Sequence, residues 1–172
     1  MKKCKSISSL CLLGLLFLFS YSLVCAEDVI KAPSSVQAAL FLKLLAFNKG
    51  LIGDVSVYVM NDAEFAAELN KGVGKAVGTA TLASVKTGTS LPESKPAVIY
   101  CGDGSKVDEV IAYSRSNKIL SISGLPEASV KGITLVVGTL DSKPKILLNL
   151  SSAKEENVDL NPAILKISTV SK

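Results

Sequence analysis

Apolar segments of strand length alternate with helical patterns along this chain, and the alternation restricts its fold more than any other feature. Residues 54–60 and 97–101 are apolar or β-branched almost throughout, as in strands that are buried on both faces. Segments of about ten residues with helical spacing separate such strands, and the first contains Val36, Leu40 and Leu44. The pattern predicts a parallel sheet that is covered by helices on both sides.

The later part of the chain predicts an antiparallel addition to that sheet. Residues 133–140 and 145–150 flank the sequence DSKP, which is rich in turn-forming residues. Two further strands are expected at residues 77–85 and 119–123. The predicted fold class is therefore α/β: a single compact, Rossmann-like, three-layer domain with a mostly parallel central sheet and an antiparallel edge hairpin.

Helix starts are predicted where a short polar side chain precedes a helical pattern. Such a side chain accepts a hydrogen bond from an otherwise unpaired N–H group of the first turn. The predicted capping residues are Ser34 (with Gln37), Asp62, Ser105 (with Asp108), Ser152 (with Glu155) and Asn161 (before Pro162).

The N-terminus has the three parts of a secretory signal peptide. Three lysines within the first five residues precede an apolar run at residues 10–24. The run ends at Val24-Cys25-Ala26, which puts small residues at positions −3 and −1 of a cut before Glu27. We therefore expect a signal peptide at residues 1–26, a single domain at residues 27–172, and a periplasmic location for the mature protein.

Two alternatives to cleavage at this point are a retained anchor and a lipoprotein. The apolar run is short for a bilayer core, which takes about 20 residues. A lipoprotein cut before Cys25 is disfavoured because Ser22-Leu23-Val24 lacks a Leu at position −3 and a small residue at position −1.

Removal of the signal peptide changes the charge and the cysteine content. It takes three of the 19 basic residues and none of the 15 acidic ones, so the net charge falls from +4 to about +1. No basic field is then left to attract nucleic acid or an anionic membrane surface. Of the four cysteines only Cys101 stays, so an internal disulfide is impossible, and its apolar setting predicts a buried, inert thiol.

Catalytic chemistry is difficult to build from these residues. The chain has no His, which removes the usual general base, the Ser-His and Cys-His pairs and the commonest zinc ligand. The carboxylates are single or in exposed pairs, and metal-ligand spacing is absent. We expect no enzyme activity, no catalytic or metal-binding residue and no cofactor.

One glycine-containing segment lies where ligands commonly bind. Gly102, Asp103, Gly104 and Ser105 join a predicted strand to a helix, a position that suits an anion in many α/β folds. Val107 replaces the third glycine of the dinucleotide fingerprint, no P-loop lysine follows, and Asp103 would repel phosphate. A tight turn is the simpler interpretation, and a ligand crevice formed by these four residues remains the alternative.

Several segments resemble the YfiR/HmsC family of periplasmic proteins. Residues 54–60 (DVSVYVM) followed by 65–69 (FAAEL) are similar to its first strand and helix, and residues 119–123 (ILSIS) to a later strand. Residues 146–167 match the family's C-terminal pattern. The chain departs from the family in having no Trp and only one of its paired cysteines.

This resemblance implies a regulatory function. The better-known members are periplasmic repressors that act by contact on an inner-membrane diguanylate cyclase and so lower cyclic-di-GMP signalling and biofilm formation. The implied partner is an inner-membrane signalling protein, either a diguanylate cyclase or a sensor kinase, and a homodimer is compatible with it. No nucleic acid and no stable membrane insertion is expected. The alternative function is a periplasmic small-molecule binding module.

A contact surface for such a partner is expected on the first helix. Phe41, Leu42 and Leu45 widen its apolar stripe beyond what one buried face requires. The simpler explanation, burial of all three within the domain, stays open at this point.

We predict that the exported protein begins at Glu27, within one residue, because the apolar run ends in small residues at the −3 and −1 positions. Intact-mass measurement of protein from the cell envelope checks this. A lipid-modified Cys25 or an uncut N-terminus would contradict it.

Overall fold

The computed structural model describes residues 28–171, so the predicted signal peptide lies outside the described part. Within it, nine strands and five α-helices follow one another along the chain. The strands are β1 (Ile30–Lys31), β2 (Gly53–Met60), β3 (Ala76–Val77), β4 (Ala80–Gly88), β5 (Val98–Cys101), β6 (Leu120–Ser123), β7 (Leu135–Leu140), β8 (Lys143–Asn149) and β9 (Thr169–Ser171). The helices are α1 (Ser34–Leu45), α2 (Ala63–Asn70), α3 (Val107–Asn117), α4 (Glu127–Lys131) and α5 (Leu150–Glu155), with 3₁₀ segments at Gly104–Lys106 and Pro162–Lys166.

The strands form one mixed sheet in the order β3-β4-β2-β5-β6-β7-β8-β9. The pairs from β4 through β2, β5 and β6 to β7 are parallel, and β7 and β8 form an antiparallel hairpin. The α/β class and the mostly parallel sheet are therefore confirmed. The hairpin is not the edge, however, because β9 pairs in parallel with β8 outside it.

Each face of the sheet has its own apolar core. Helices α1 and α2 cover one face, where the inward residues of β2 are Val55, Val57 and Val59. Helix α3 covers the other face, where Met60 and Ile99 pack. Strands buried on both faces have few polar side chains, which explains why β2 and β5 are apolar almost throughout.

Residues with positive φ angles form the tight turns between β7 and β8 and between β3 and β4. Asp141 and Ser142 both have positive φ angles, 50° and 60°, as in the type I′ turn of a two-residue hairpin. The strand predicted at residues 77–85 is in fact two strands, because the chain reverses at Gly78 (φ 66°) between β3 and β4. The weak alternation of apolar and polar residues over this segment gave no sign of that turn.

Two of the predicted helix caps are confirmed and three are wrong. Asp62 accepts from the Phe65 N–H and Asn161 from the Ala163 N–H. For α3 and α5 the capping acceptor lies earlier, at the end of the preceding strand or turn, where the backbone is extended as a cap requires. Ser34 is already helical without a side-chain cap, Asp103 caps the 3₁₀ turn before α3, and Asn149 caps α5.

A buried carboxylate holds α5 against α3, β6 and β7. Glu156 is fully buried and accepts hydrogen bonds from the hydroxyls of Ser114, Ser121 and Thr134 and from the Ser121 N–H. No cation is among these partners. Burial raises the pKa of Glu156, and the four hydrogen bonds oppose that rise.

We predict that Glu156→Gln alters the pH dependence of stability. Because the pKa of Glu156 is raised in the folded protein, the unfolded chain releases the Glu156 proton at a lower pH than the folded protein does. The free energy of unfolding of the wild type therefore decreases above the ordinary glutamate pKa, by at most about 1.4 kcal/mol per pH unit. In the Glu156→Gln variant the side chain at position 156 does not titrate, so this decrease in the free energy of unfolding is absent.

Urea denaturation between pH 4 and 8 measures the difference between the two proteins. The exposed Glu93→Gln is the matched control and should follow the wild type. The free energy of unfolding of the wild type minus that of Glu156→Gln should fall as the pH rises. A difference that stays constant or grows with pH would contradict the prediction.

Candidate functional site

The carboxyl ends of β2, β4 and β5 enclose an open crevice of about 640 Å³. The chain leaves β2 through α2 toward β4 on one side, whereas β5 lies on the other side of β2 and continues to α3 and β6. Such a change of direction is the usual ligand-binding position in open α/β sheets. The crevice is lined by Val59, Asn61, Asp62, Ala63, Thr87, Gly88, Thr89, Gly102, Asp103 and Gly104.

Gly102 lets the loops after β2 and β5 approach each other. A Cβ at this position would lie 2.5 Å from the Asp62 Cβ and 2.8 Å from the Asn61 carbonyl oxygen. Both distances are shorter than van der Waals contact, so only glycine fits. Gly104 has no such neighbour, since the nearest atom, of Glu127, would be 3.7 Å away.

Asp62 forms one wall of the crevice and is held from three directions. Its Oδ1 accepts the Phe65 N–H, and its Oδ2 accepts from the Lys31 ammonium at 2.8 Å. The Tyr100 hydroxyl lies 3.2 Å from the same Oδ2 and 2.9 Å from Oε1 of the buried Gln37. Burial and the Asp62 charge raise the pKa of Tyr100 well above its usual range.

Asp103 forms the opposite wall. Its Oδ1 accepts from both the N–H and the hydroxyl of Ser105, each at 2.9 Å, and these bonds lower the pKa of Asp103. Ser105 itself is exposed and does not line the crevice. Of the four predicted crevice residues, Gly102, Asp103 and Gly104 therefore line it, and Ser105 positions Asp103.

The charge of the crevice limits what it can bind. Among its lining residues the only charged side chains are the carboxylates of Asp62 and Asp103. Lys31 pairs with Asp62 at 2.8 Å, so the negative charge that acts on a ligand is mainly that of Asp103. This charge disfavours phosphate and other anions, whereas hydroxyl or amine groups find acceptors. The sequence indicated Asp62 only as a helix cap, and nothing in it indicated that Thr87 and Thr89 lie beside it.

Cys101 ends β5 just before the crevice, and its predicted burial is confirmed. The residue is fully buried, and its thiol donates to the Asp103 carbonyl oxygen at 3.2 Å. Burial raises its pKa to about 11, so the thiol stays protonated near neutral pH. A nucleophilic or metal-binding thiolate is not available under those conditions.

The contact surface expected on α1 does not form. Phe41 and Leu45 are fully buried, and the Phe41 ring packs edge-on against Phe65 at 5.7 Å and Tyr100 at 6.1 Å between ring centroids. Leu42 is half-buried and lies over Gly72. The wide apolar stripe is explained by contacts with α2 as well as with the sheet.

Of the eight large apolar side chains that are exposed among the described residues, three lie near the C-terminus. Leu165, Ile167 and Val170 are 45%, 50% and 43% exposed and lie within six residues of one another. Leu165 lies in the 3₁₀ segment, Ile167 directly after it, and Val170 in β9, which is the outer strand on this side of the sheet. We call these three residues the C-terminal surface.

Two classes of site have no candidate in the described part of the chain. Among residues 28–171, no group of three or more His, Cys, Asp or Glu side chains is arranged to hold a metal ion. None of the helices in the same range has both the length and the apolar character needed to span a bilayer.

Comparison with known proteins gives a family and a structural likeness to solved proteins. The family model described as YfiR/HmsC-like matches residues 35–169, whereas no curated protein matches significantly. The crystal structure of a conserved domain protein from Vibrio cholerae O1 biovar El Tor strain N16961 is similar at a TM-score of 0.54 and 13% identity. The likeness covers 82% of this chain but 60% of that one, and at this identity it shows the fold alone.

We predict that Gly102→Ala destabilises the protein and that Gly104→Ala, its matched control, does not. The added methyl at position 102 must displace Asp62 or the Asn61 backbone, which costs about 1–3 kcal/mol. The midpoint of urea denaturation measures both variants. Equal midpoints for the two variants would show that the two crevice loops are not in close contact.

Proposed function

This chain belongs to the YfiR/HmsC-like family, and from that membership we propose that it is an exported, non-catalytic regulatory protein. It acts by protein–protein contact with an inner-membrane signalling protein, a diguanylate cyclase or a sensor kinase. Members of the family are known as periplasmic repressors of diguanylate cyclases, so the expected outcome is lower cyclic-di-GMP and less biofilm. Residues 1–26 are its signal peptide, and residues 27–172 are the regulatory domain.

The C-terminal surface is the observation that supports contact as the mode of action. Leaving Leu165, Ile167 and Val170 in water costs free energy that a partner recovers by covering them, at about 25 cal/mol per Å² of apolar area. Apolar residues grouped on an edge are typical of protein-binding surfaces. The surface replaces α1 as the proposed contact region, since Phe41 and Leu45 are buried.

Small-molecule binding is the second candidate function. The crevice at the ends of β2, β4 and β5 favours it, since ligands commonly bind at this position. Its carboxylates suit an uncharged polar or cationic metabolite rather than a nucleotide. The two functions differ in their tests: one depends on the C-terminal surface and the other on Asp62, Asp103 and their neighbours.

We predict that Ile167→Asp abolishes regulation without unfolding the protein. A charge placed on an apolar contact surface opposes its burial by a partner, whereas an exposed side chain contributes little to the fold. Ile52→Asp is the matched control, because Ile52 is 75% exposed and lies in the loop before β2. Circular dichroism and the melting temperature should be nearly unchanged in both variants.

Cells lacking the gene provide the measurement. Deletion should raise cyclic-di-GMP and surface attachment, and expression of wild type or Ile52→Asp should restore both, whereas Ile167→Asp should not. Unchanged cyclic-di-GMP after deletion, together with specific micromolar binding of a metabolite to the purified protein, would favour the second candidate function.

A further inference from the structure

We infer that the free edge of β4, together with α2, binds an extended peptide segment of a partner protein by strand addition, with a basic residue of that peptide at the crevice end. This site is separate from the C-terminal surface and does not depend on the function proposed above. The inference rests on three observations: unpaired backbone groups along β4, a groove beside them, and the charge at the two ends of that groove.

The outer edge of β4 has a strand partner over only part of its length. β3 pairs with Ala80 and Thr81, and Leu82 exchanges hydrogen bonds with Gly74 and Lys75. The pairing of β4 with β2 shifts by one residue at Ala83, which is skipped in the register. After this shift, residues 84–88 pair with β2 on one side, and no other strand of the described chain pairs with them.

In a β-strand the backbone N–H and C=O groups of successive residues point alternately to the two neighbouring sides, which gives the direction of these groups in residues 84–88. The Gly88 carbonyl accepts the Asn61 N–H on the β2 side, so Ser84 and Lys86 also direct their groups toward β2. Val85 and Thr87 direct their N–H and C=O groups outward. A free edge of this kind is the template to which an added strand pairs.

A groove of about 310 Å³ runs beside this edge. It lies between Val85 and Thr87 of β4 and a row of small side chains on α2: Ala63, Ala66, Ala67 and Asn70. The alanines leave room for the side chains of an added strand, which alternate between the groove and the opposite side. Ala63 and Thr87 also line the crevice, so the groove and the crevice are continuous.

Charge gives the peptide a direction. At the end of β4 the groove opens into the crevice, where Asp62 is already paired with Lys31 and Asp103, bonded to the uncharged Ser105, supplies the negative charge. Lys75 lies at the other end, beside Leu82. A peptide antiparallel to β4, as β3 already is, places its N-terminus near Asp103. The preferred sequence therefore begins with Lys or Arg, continues with alternating β-branched residues, and ends near Lys75 with an acidic residue.

A random library of seven-residue peptides with free N-termini, displayed on bacteriophage, provides the probe for the purified protein. We expect enriched sequences with Lys or Arg in the first two positions and β-branched residues after them. A synthetic enriched peptide should slow hydrogen exchange at the amides of Val85 and Thr87. The amides of Ser84 and Lys86, which already face β2, should not change.

Ala67→Gln fills the groove with a helix-compatible side chain and should weaken binding of the synthetic peptide at least about tenfold. Ala39→Gln, at an exposed position on α1, is the matched control and should bind as the wild type does. Ile167→Asp should also bind normally, which separates this site from the proposed regulatory surface.

Several outcomes would overturn the inference. They are a library without enrichment, peptides that bind Ala67→Gln as tightly as the wild type, and protection of the Val170 amide in place of Val85. A wild-type dimer in sedimentation that Ala67→Gln dissociates would assign the edge to a second copy of this chain.

Discussion

The carboxylate of Asp62 connects three parts of the chain that are distant in sequence. It caps α2 through the Phe65 N–H, pairs with Lys31 of β1 and lies within hydrogen-bond distance of the Tyr100 hydroxyl on β5. Tyr100 in turn stacks on Phe65 at 3.9 Å between ring centroids, so the polar contacts and the aromatic core fix the same elements. The crevice has its shape because Asp62 is held in this way and because Gly102 permits close contact with it.

A second buried carboxylate has the corresponding role at the other end of the sheet. Glu156 lies near the amino ends of β6 and β7, where hydroxyls and one backbone N–H, rather than a cation, compensate its burial. Removing the carboxylate would leave those donors without an acceptor in an apolar surrounding, which costs more than the hydrogen bonds contribute. The helices on the α3 side are thus anchored by a network that the sequence shows only as scattered Ser and Thr residues.

Local patterns in the sequence were sufficient for the elements but not for their contacts. The apolar runs predicted β2, β5 and β6, and Asp62 and Asn161 predicted two helix starts. These predictions succeed because each depends on residues that are close together in the sequence. The place of Phe41 stayed open because a wide apolar stripe does not distinguish a helix with two buried sides from one with an exposed contact surface. Residues 102–105 indicated a crevice only as the alternative to a tight turn, whereas Thr87 and Asn61 reach it only through the order of the strands.

The two proposed binding surfaces lie at opposite sides of one sheet. Five strands separate β4 from β9 in the strand order, a distance of roughly 30 Å at the usual strand spacing. A partner that contacts only the C-terminal surface therefore leaves the β4 edge free, and both surfaces can be occupied at once. Any effect of one on the other must pass through the sheet, and it must be reciprocal: a peptide that weakens partner binding is itself bound more weakly by the complex. Equal peptide affinity with and without the partner would instead mean that the rigid, doubly covered sheet keeps the two surfaces independent.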